Sequence, residues 1–169
     1  MFVFPNGYPG AVSRAKDDVI IPMKNHENVS LAFGTPVFQV SGERSCRPYG
    51  DGVTAEDFIG FTVRIAAKTP ETYGSKTACY APNEPVDVLT RGSIVLEFAS
   101  TAHPGDAVYL RKLDGKLVTN PGTEGTTLQL PNCTVRSPRD TAHCAEVVVT
   151  KRTIFSQRRF FIDQIFCAS

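Results

Sequence analysis

The chain has little of what catalysis, membrane insertion or electrostatic recruitment would need. Among its 169 residues only His26, His103 and His143 carry an imidazole, so any Cys–His or Ser–His pair must draw on one of them. His143 adjoins Cys144, but neighbours in a strand point to opposite faces and cannot form a hydrogen-bonded dyad. Ser93 stands in R-G-S-I, without the second glycine of a G-x-S-x-G elbow, and reads as a structural serine. There is no C-x-x-C, H-x-H, H-E-x-x-H, G-x-G-x-x-G or P-loop pattern, so no metal site and no cofactor are expected. Cys133, His143 and Cys144 would converge only by accident of folding. The acidic pairs Asp17-Asp18 and Glu56-Asp57 fall at segment boundaries, where carboxylates solvate loops. The expectation is a protein that is not an enzyme.

Charge of one sign is also missing. Eighteen basic residues face 17 acidic ones, a net charge of +1, which leaves no global field to draw the fold onto nucleic acid. No run approaches the ~20 apolar residues of a membrane span. The beginning, MFVFPNGYPG, has neither a basic region nor a long apolar one, so it predicts synthesis in a cytoplasm and no signal peptide. Five cysteines, Cys46, Cys79, Cys133, Cys144 and Cys167, are odd in number and irregular in spacing, which predicts reduced, partly buried thiols and no disulfide framework. Nor is there a capped segment of 3.6-residue period and helical length. The 13 glycines and 12 prolines suit many short strands instead.

The strand signals are clear. Ile94, Leu96 and Phe98 alternate with Ser93, Val95 and Glu97, and Ile59, Phe61, Val63 and Ile65 share one face of Phe58–Ile65; this period of two marks strands with a buried side. Ile59, Phe61, Val63, Ile94, Leu96 and Phe98 are expected in one core. Val86 and Val88 start a strand that Arg91-Gly92 interrupts, Pro104-Gly105-Asp106 makes a turn, and Asp114-Gly115 closes a hairpin. Further strands are expected at Val19–Ile21, Val29–Phe33, Pro36–Val40, Ala107–Arg111, Leu128–Leu130, Cys144–Thr150 and Arg158–Ile165. Residues 1–18 read as an N-terminal arm whose Phe2, Phe4 and Tyr8 need another surface to cover, and residues 19–169 as a single β domain. About ten short strands without helices predict an all-β, antiparallel Greek-key sandwich or barrel, with a jelly roll as the leading variant.

Several segments, in order, resemble one family. They are GYPGAV (Gly7–Val12), FGTPVFQV (Phe33–Val40), FIGFTVR (Phe58–Arg64), EPVDVLTRGSI (Glu84–Ile94), PGDAVY (Pro104–Tyr109) and GKLVT (Gly115–Thr119). This series is similar to the structural cement proteins of tailed bacteriophages, and little of the resemblance extends beyond about Pro121. It implies a virion structural protein made in the bacterial host cytoplasm that decorates the outer surface of the expanded capsid. Its partners would be the major capsid protein and itself, as a dimer or trimer, with no nucleic acid and no membrane. Two alternatives stay open: a carbohydrate-binding or host-adhesion module on the virion, and a small β-barrel enzyme using His103 or His143.

The residues expected at a capsid or oligomer interface are Phe2, Phe4, Tyr8, Arg158, Arg159, Phe160 and Phe161. Aromatics concentrate at both chain ends, and in a strand only one of Phe160 and Phe161 can face a single core. Lys151-Arg152 and Arg158-Arg159 read either as a solvated strand face or as a contact patch.

Overall fold

Turns formed by glycine and proline divide the chain into eleven strands in a computed structural model that describes residues 5–26, 28–40, 42–65 and 79–150. The strands are β1 (Val12–Asn25), β2 (Leu31–Ala32), β3 (Pro36–Gln39), β4 (Ser45–Arg47), β5 (Phe58–Thr62), β6 (Cys79–Tyr80), β7 (Pro85–Glu97), β8 (Ala107–Arg111), β9 (Leu117–Val118), β10 (Thr127–Val135) and β11 (Cys144–Val149). Of the described residues 49 % are strand and 2 % helical, the helical part being one 3-10 turn at Ala55–Asp57. The all-β expectation is met. The two turns expected from Pro104-Gly105-Asp106 and Asp114-Gly115 form, with Gly105 at φ +94° and Gly115 at φ +68°, conformations that cost glycine little.

Nine strands make one sheet in the order β1-β4-β3-β5-β7-β11-β10-β8-β9, and β1 also pairs with β7. The first five therefore return on themselves as a ring. At the other end, a bridge from Phe98 to Leu117 of β9 joins the end of β7 to the far edge of the sheet. Closure of this kind removes exposed edges. All these pairings are antiparallel except β1 with β4 and the Phe98 bridge; β2 and β6 form a separate two-stranded pair.

β7 runs through Arg91-Gly92 instead of breaking there, and it serves two cores. Val86 and Val88 point into the ring with Met23, Val37, Cys46, Ile59 and Tyr80. Leu89, Ile94 and Leu96 belong to a second cluster with Phe38, Phe58, Phe61, Phe98, Leu110, Leu130 and Val147. The single core expected for Ile59, Phe61, Val63, Ile94, Leu96 and Phe98 is thus corrected. All six are buried, but Ile59 lies in the ring interior and the others in the second cluster. The cause is a register shift between β3 and β5, where Val37 pairs with Gly60 and Phe38 with Phe58. One extra residue in a strand reverses the alternation beyond it.

The described part of the expected arm is built into the domain. β1 spans the boundary placed at residue 18, pairing with β7 from Val12 to Lys24. Ahead of it, Gly10 N–H donates to Val95 O at 2.8 Å, Val95 N–H to Ala11 O at 2.9 Å, and Arg64 N–H to Gly10 O at 2.7 Å. Residues 5–12 are thus ordered by their own chain, because the sheet offers their backbone the partners that a buried peptide needs. The expected strand Arg158–Ile165 lies outside the described residues.

Candidate functional site

Segments that carried the family resemblance meet at one junction. Gly10 has φ +80°, and a Cβ there would come within 2.8 Å of Phe33 Cβ and 2.9 Å of Gly34 N, so both conformation and space demand glycine. Beside it, the Arg64 guanidinium lies 5.4 Å from the Tyr8 ring centre and 5.0 Å from that of Phe33, and its Nε donates to Pro9 O at 3.1 Å. Arg64 is only 8 % exposed. Two ring faces and a carbonyl stand in for the water its charge has lost. On the other side of Val63, Tyr80 Oη donates to Val63 O at 2.7 Å, and burial raises the phenol's pKa well above its ordinary value. This is the chemistry of fastening.

A second fastening holds Asn6. Its backbone N–H donates to Asp140 Oδ2 at 2.8 Å, while its side-chain amide donates to Pro138 O at 2.9 Å and Cys144 O at 2.8 Å. Ser137 Oγ donates to Asn6 Oδ1 at 2.9 Å. Asp140, 5 % exposed, also accepts from the N–H groups of Ala142 and Cys144. His143, at φ +67°, thus belongs to a turn organised by Asp140, and Cys144 at the start of β11 is buried.

Of the residues expected at an interface, the structure describes Tyr8 alone; it is 42 % exposed and covers Arg64 on one ring face. Phe2, Phe4, Arg158, Arg159, Phe160 and Phe161 lie outside the described residues. Among the described residues three other large apolar side chains are exposed: Ile20 on β1, Val29 before β2, and Leu113 at the tip of the β8–β9 hairpin. That tip is held by a two-pronged pair, Arg111 Nε to Asp114 Oδ1 at 2.9 Å and Nη2 to Oδ2 at 2.6 Å. The Arg111 hydrogen bonds lower the Asp114 pKa to about 2. Among the described residues no group of three or more His, Cys, Asp or Glu is placed to hold a metal ion.

Two of the depressions bounded by described residues lie beside these strands. One, of about 610 Å³, is bounded by Phe33, Phe98, Arg111, Lys116, Arg139 and His143, among others. The other, of about 400 Å³, is bounded by Arg14, Asp18, Arg91, Gly92, Arg136 and Val148, among others. Sequence reasoning singled out neither. Each gathers residues from distant parts of the chain.

Comparison with known proteins agrees with this scaffold. No curated protein matches the chain. Among solved structures, a chain of "The capsid of Myoviridae Phage XM1" superposes with a TM-score of 0.69 at 18 % identity, over 90 % of this chain and 95 % of that one. The family described as "Structural cement protein (E217 gp24/Pam3 gp6)" matches residues 2–150, so the family likeness extends through β10 and β11 and does not stop near residue 121. Matched over residues 2–150, nearly all its length, the chain belongs to the phage structural cement protein family.

Proposed function

We propose that this protein binds the outer surface of the expanded capsid as a homo-oligomer, clamps neighbouring major capsid subunits and stabilises the head. The observation that carries the proposal is family membership over residues 2–150.

Such a protein acts by mass action. It binds the assembled lattice in preference to its parts, so its binding free energy adds to the work of breaking the shell. An oligomer strengthens this, because after the first contact each further one is intramolecular. The carbohydrate-binding alternative calls for an exposed aromatic platform at a cleft, and the aromatic residues bordering the larger depression, Phe33 and Phe98, are buried.

The test is to add the protein to expanded particles that lack it and follow DNA release on heating. The release temperature should rise until the binding sites are filled. Separate Phe160→Ala and Phe161→Ala variants should differ, one lowering the thermal midpoint of the free protein and the other loosening its hold on particles. Unchanged heat resistance at saturating protein would overturn the proposal.

A further inference from the structure

The smaller depression lies on the outer face of four neighbouring strands. On β11, Glu146 and Val148 point outward while Val147 and Val149 fill the core. Their partners share that face: Val95 is opposite Glu146, and Ser93 opposite Val148, on β7; Thr134 of β10 is also opposite Val148. Residues two apart from these, Arg91 on β7 and Arg136 after β10, fall on the same side, as does Arg14 of β1, the partner of Ser93. Three arginines from three parts of the chain thus edge one shallow site of about 400 Å³.

Part of this outer face is already covered. Gly7 sits on the Val95 side chain, and Gly10 and Ala11 bond to the Val95 backbone. Beyond them the Asp18 carboxylate packs onto Gly92, where an added Cβ would meet Asp18 Oδ1 at 1.9 Å, and Asp18 lines the depression together with the arginines. Arg14 is engaged by Glu146 at 3.0 Å. Arg91 and Arg136 are exposed and make no ion pair among the described residues. The larger depression differs, because Arg111 is committed to Asp114 and Arg139 Nη1 donates to Phe98 O at 3.3 Å. The three arginines outnumber the Asp18 and Glu146 carboxylates beside them, so the depression keeps a local positive excess, carried by the exposed Arg91 and Arg136 guanidinium groups. They can bind carboxylates two-pronged.

We propose that this depression seats an acidic segment of a neighbouring major capsid subunit, with Arg91 and Arg136 as the groups that bind its carboxylates. The proposal rests on the capsid-binding reading above. Complementary charge at such a site sets partner choice and association rate, and it weakens with salt.

The experiment measures binding of the full chain to expanded particles lacking it, at salt concentrations from about 0.05 to 1 M, where the screening length falls from above 10 Å to about 3 Å. Variants R91E/R136E, R91Q/R136Q and R91K/R136K are compared, with the thermal midpoint of each recorded. Wild-type affinity should fall with salt. At low salt the Glu and Gln pairs should bind about tenfold or more weakly than wild type with unchanged midpoints, and the Lys pair should retain most of the affinity. If the Glu pair does not fold, the Gln pair and the wild-type salt series decide. Binding of the Gln pair within about twofold of wild type, or salt-independent wild-type binding, would overturn this inference while leaving capsid binding intact. Failure of the wild type to bind particles at any salt would overturn the capsid-binding reading itself.

Discussion

Replacing Arg64 by Met removes the charge at the junction of the family motifs while keeping most of the side chain's volume. The lost interactions are a charged hydrogen bond to Pro9 O, worth ~1.5–3 kcal/mol, and contacts with the Tyr8 and Phe33 rings, each ~0.5–2 kcal/mol. Apolar packing of the methionine recovers part of this, and leaving the Pro9 carbonyl unpaired adds to the cost. We expect a net loss of about 3 kcal/mol, which at this chain length lowers the thermal midpoint by about 6–12 °C. Hydrogen exchange gives the local readout. The Gly10, Arg64 and Val95 amides, all bonded across this junction, should lose protection before the β10–β11 pair does. A midpoint within ~2 °C of wild type, with these three amides as protected as before, would show that the junction is not held by the cation.

Gly60→Ala should cost about 3 kcal/mol in denaturant unfolding, because the added Cβ would lie 1.9 Å from the Leu89 carbonyl oxygen; Gly50→Ala, where nothing lies within 4 Å, should change stability by less than ~0.5 kcal/mol. The Asp114 carboxyl should titrate near pH 2 by NMR and return toward the ordinary ~3.9 in Arg111→Gln. Its folded pKa lies below its unfolded one, so the pair's contribution is present above pH ~4 and is lost as pH falls toward 2. Burial pushes the Cys46 thiol up to about 12 and the Cys133 thiol higher still. At pH 8 neither should react with an alkylating reagent in the folded protein, whereas half-buried Cys79 should, as peptide mass analysis would show. Because these folded pKa values exceed the unfolded ones, stability should fall as pH rises above ~8.5, where the unfolded thiols ionise.

The strand content and the main turns were legible because alternation and turn chemistry are local. What the sequence hid depended on distant backbone. Ile59 and Phe61 alternate as if they shared a face, and only the shifted pairing of β3 with β5 sends Ile59 to the other core. Gly60 was the available signal, since a lone glycine inside a strand marks a bulge or a close backbone approach. Residues 12–18, VSRAKDD, show no hydrophobic alternation; they join a strand because β7 lies alongside part of them, with register shifts on the way. Tyr8 read as an aromatic in search of a partner, and the partner is Arg64, far along the chain. The basic depression was not legible at all. Its arginines share a face only through the registers of β1, β7, β10 and β11.

The Asn6 fastening has a consequence in time. Its hydrogen-bond partners are 131 to 138 residues further along the chain. During synthesis, the beginning of the protein emerges long before the Ser137–Cys144 turn that will hold it, so this contact cannot template anything made before it. Folding must bring together chain segments far apart in sequence, a slow class of search, and during it the strands that later close the ring have exposed edges. Docking of Asn6 cannot precede the emergence of residues 137–144, which supply its partners. A newly made copy thus becomes a finished domain only after β11 has left the ribosome.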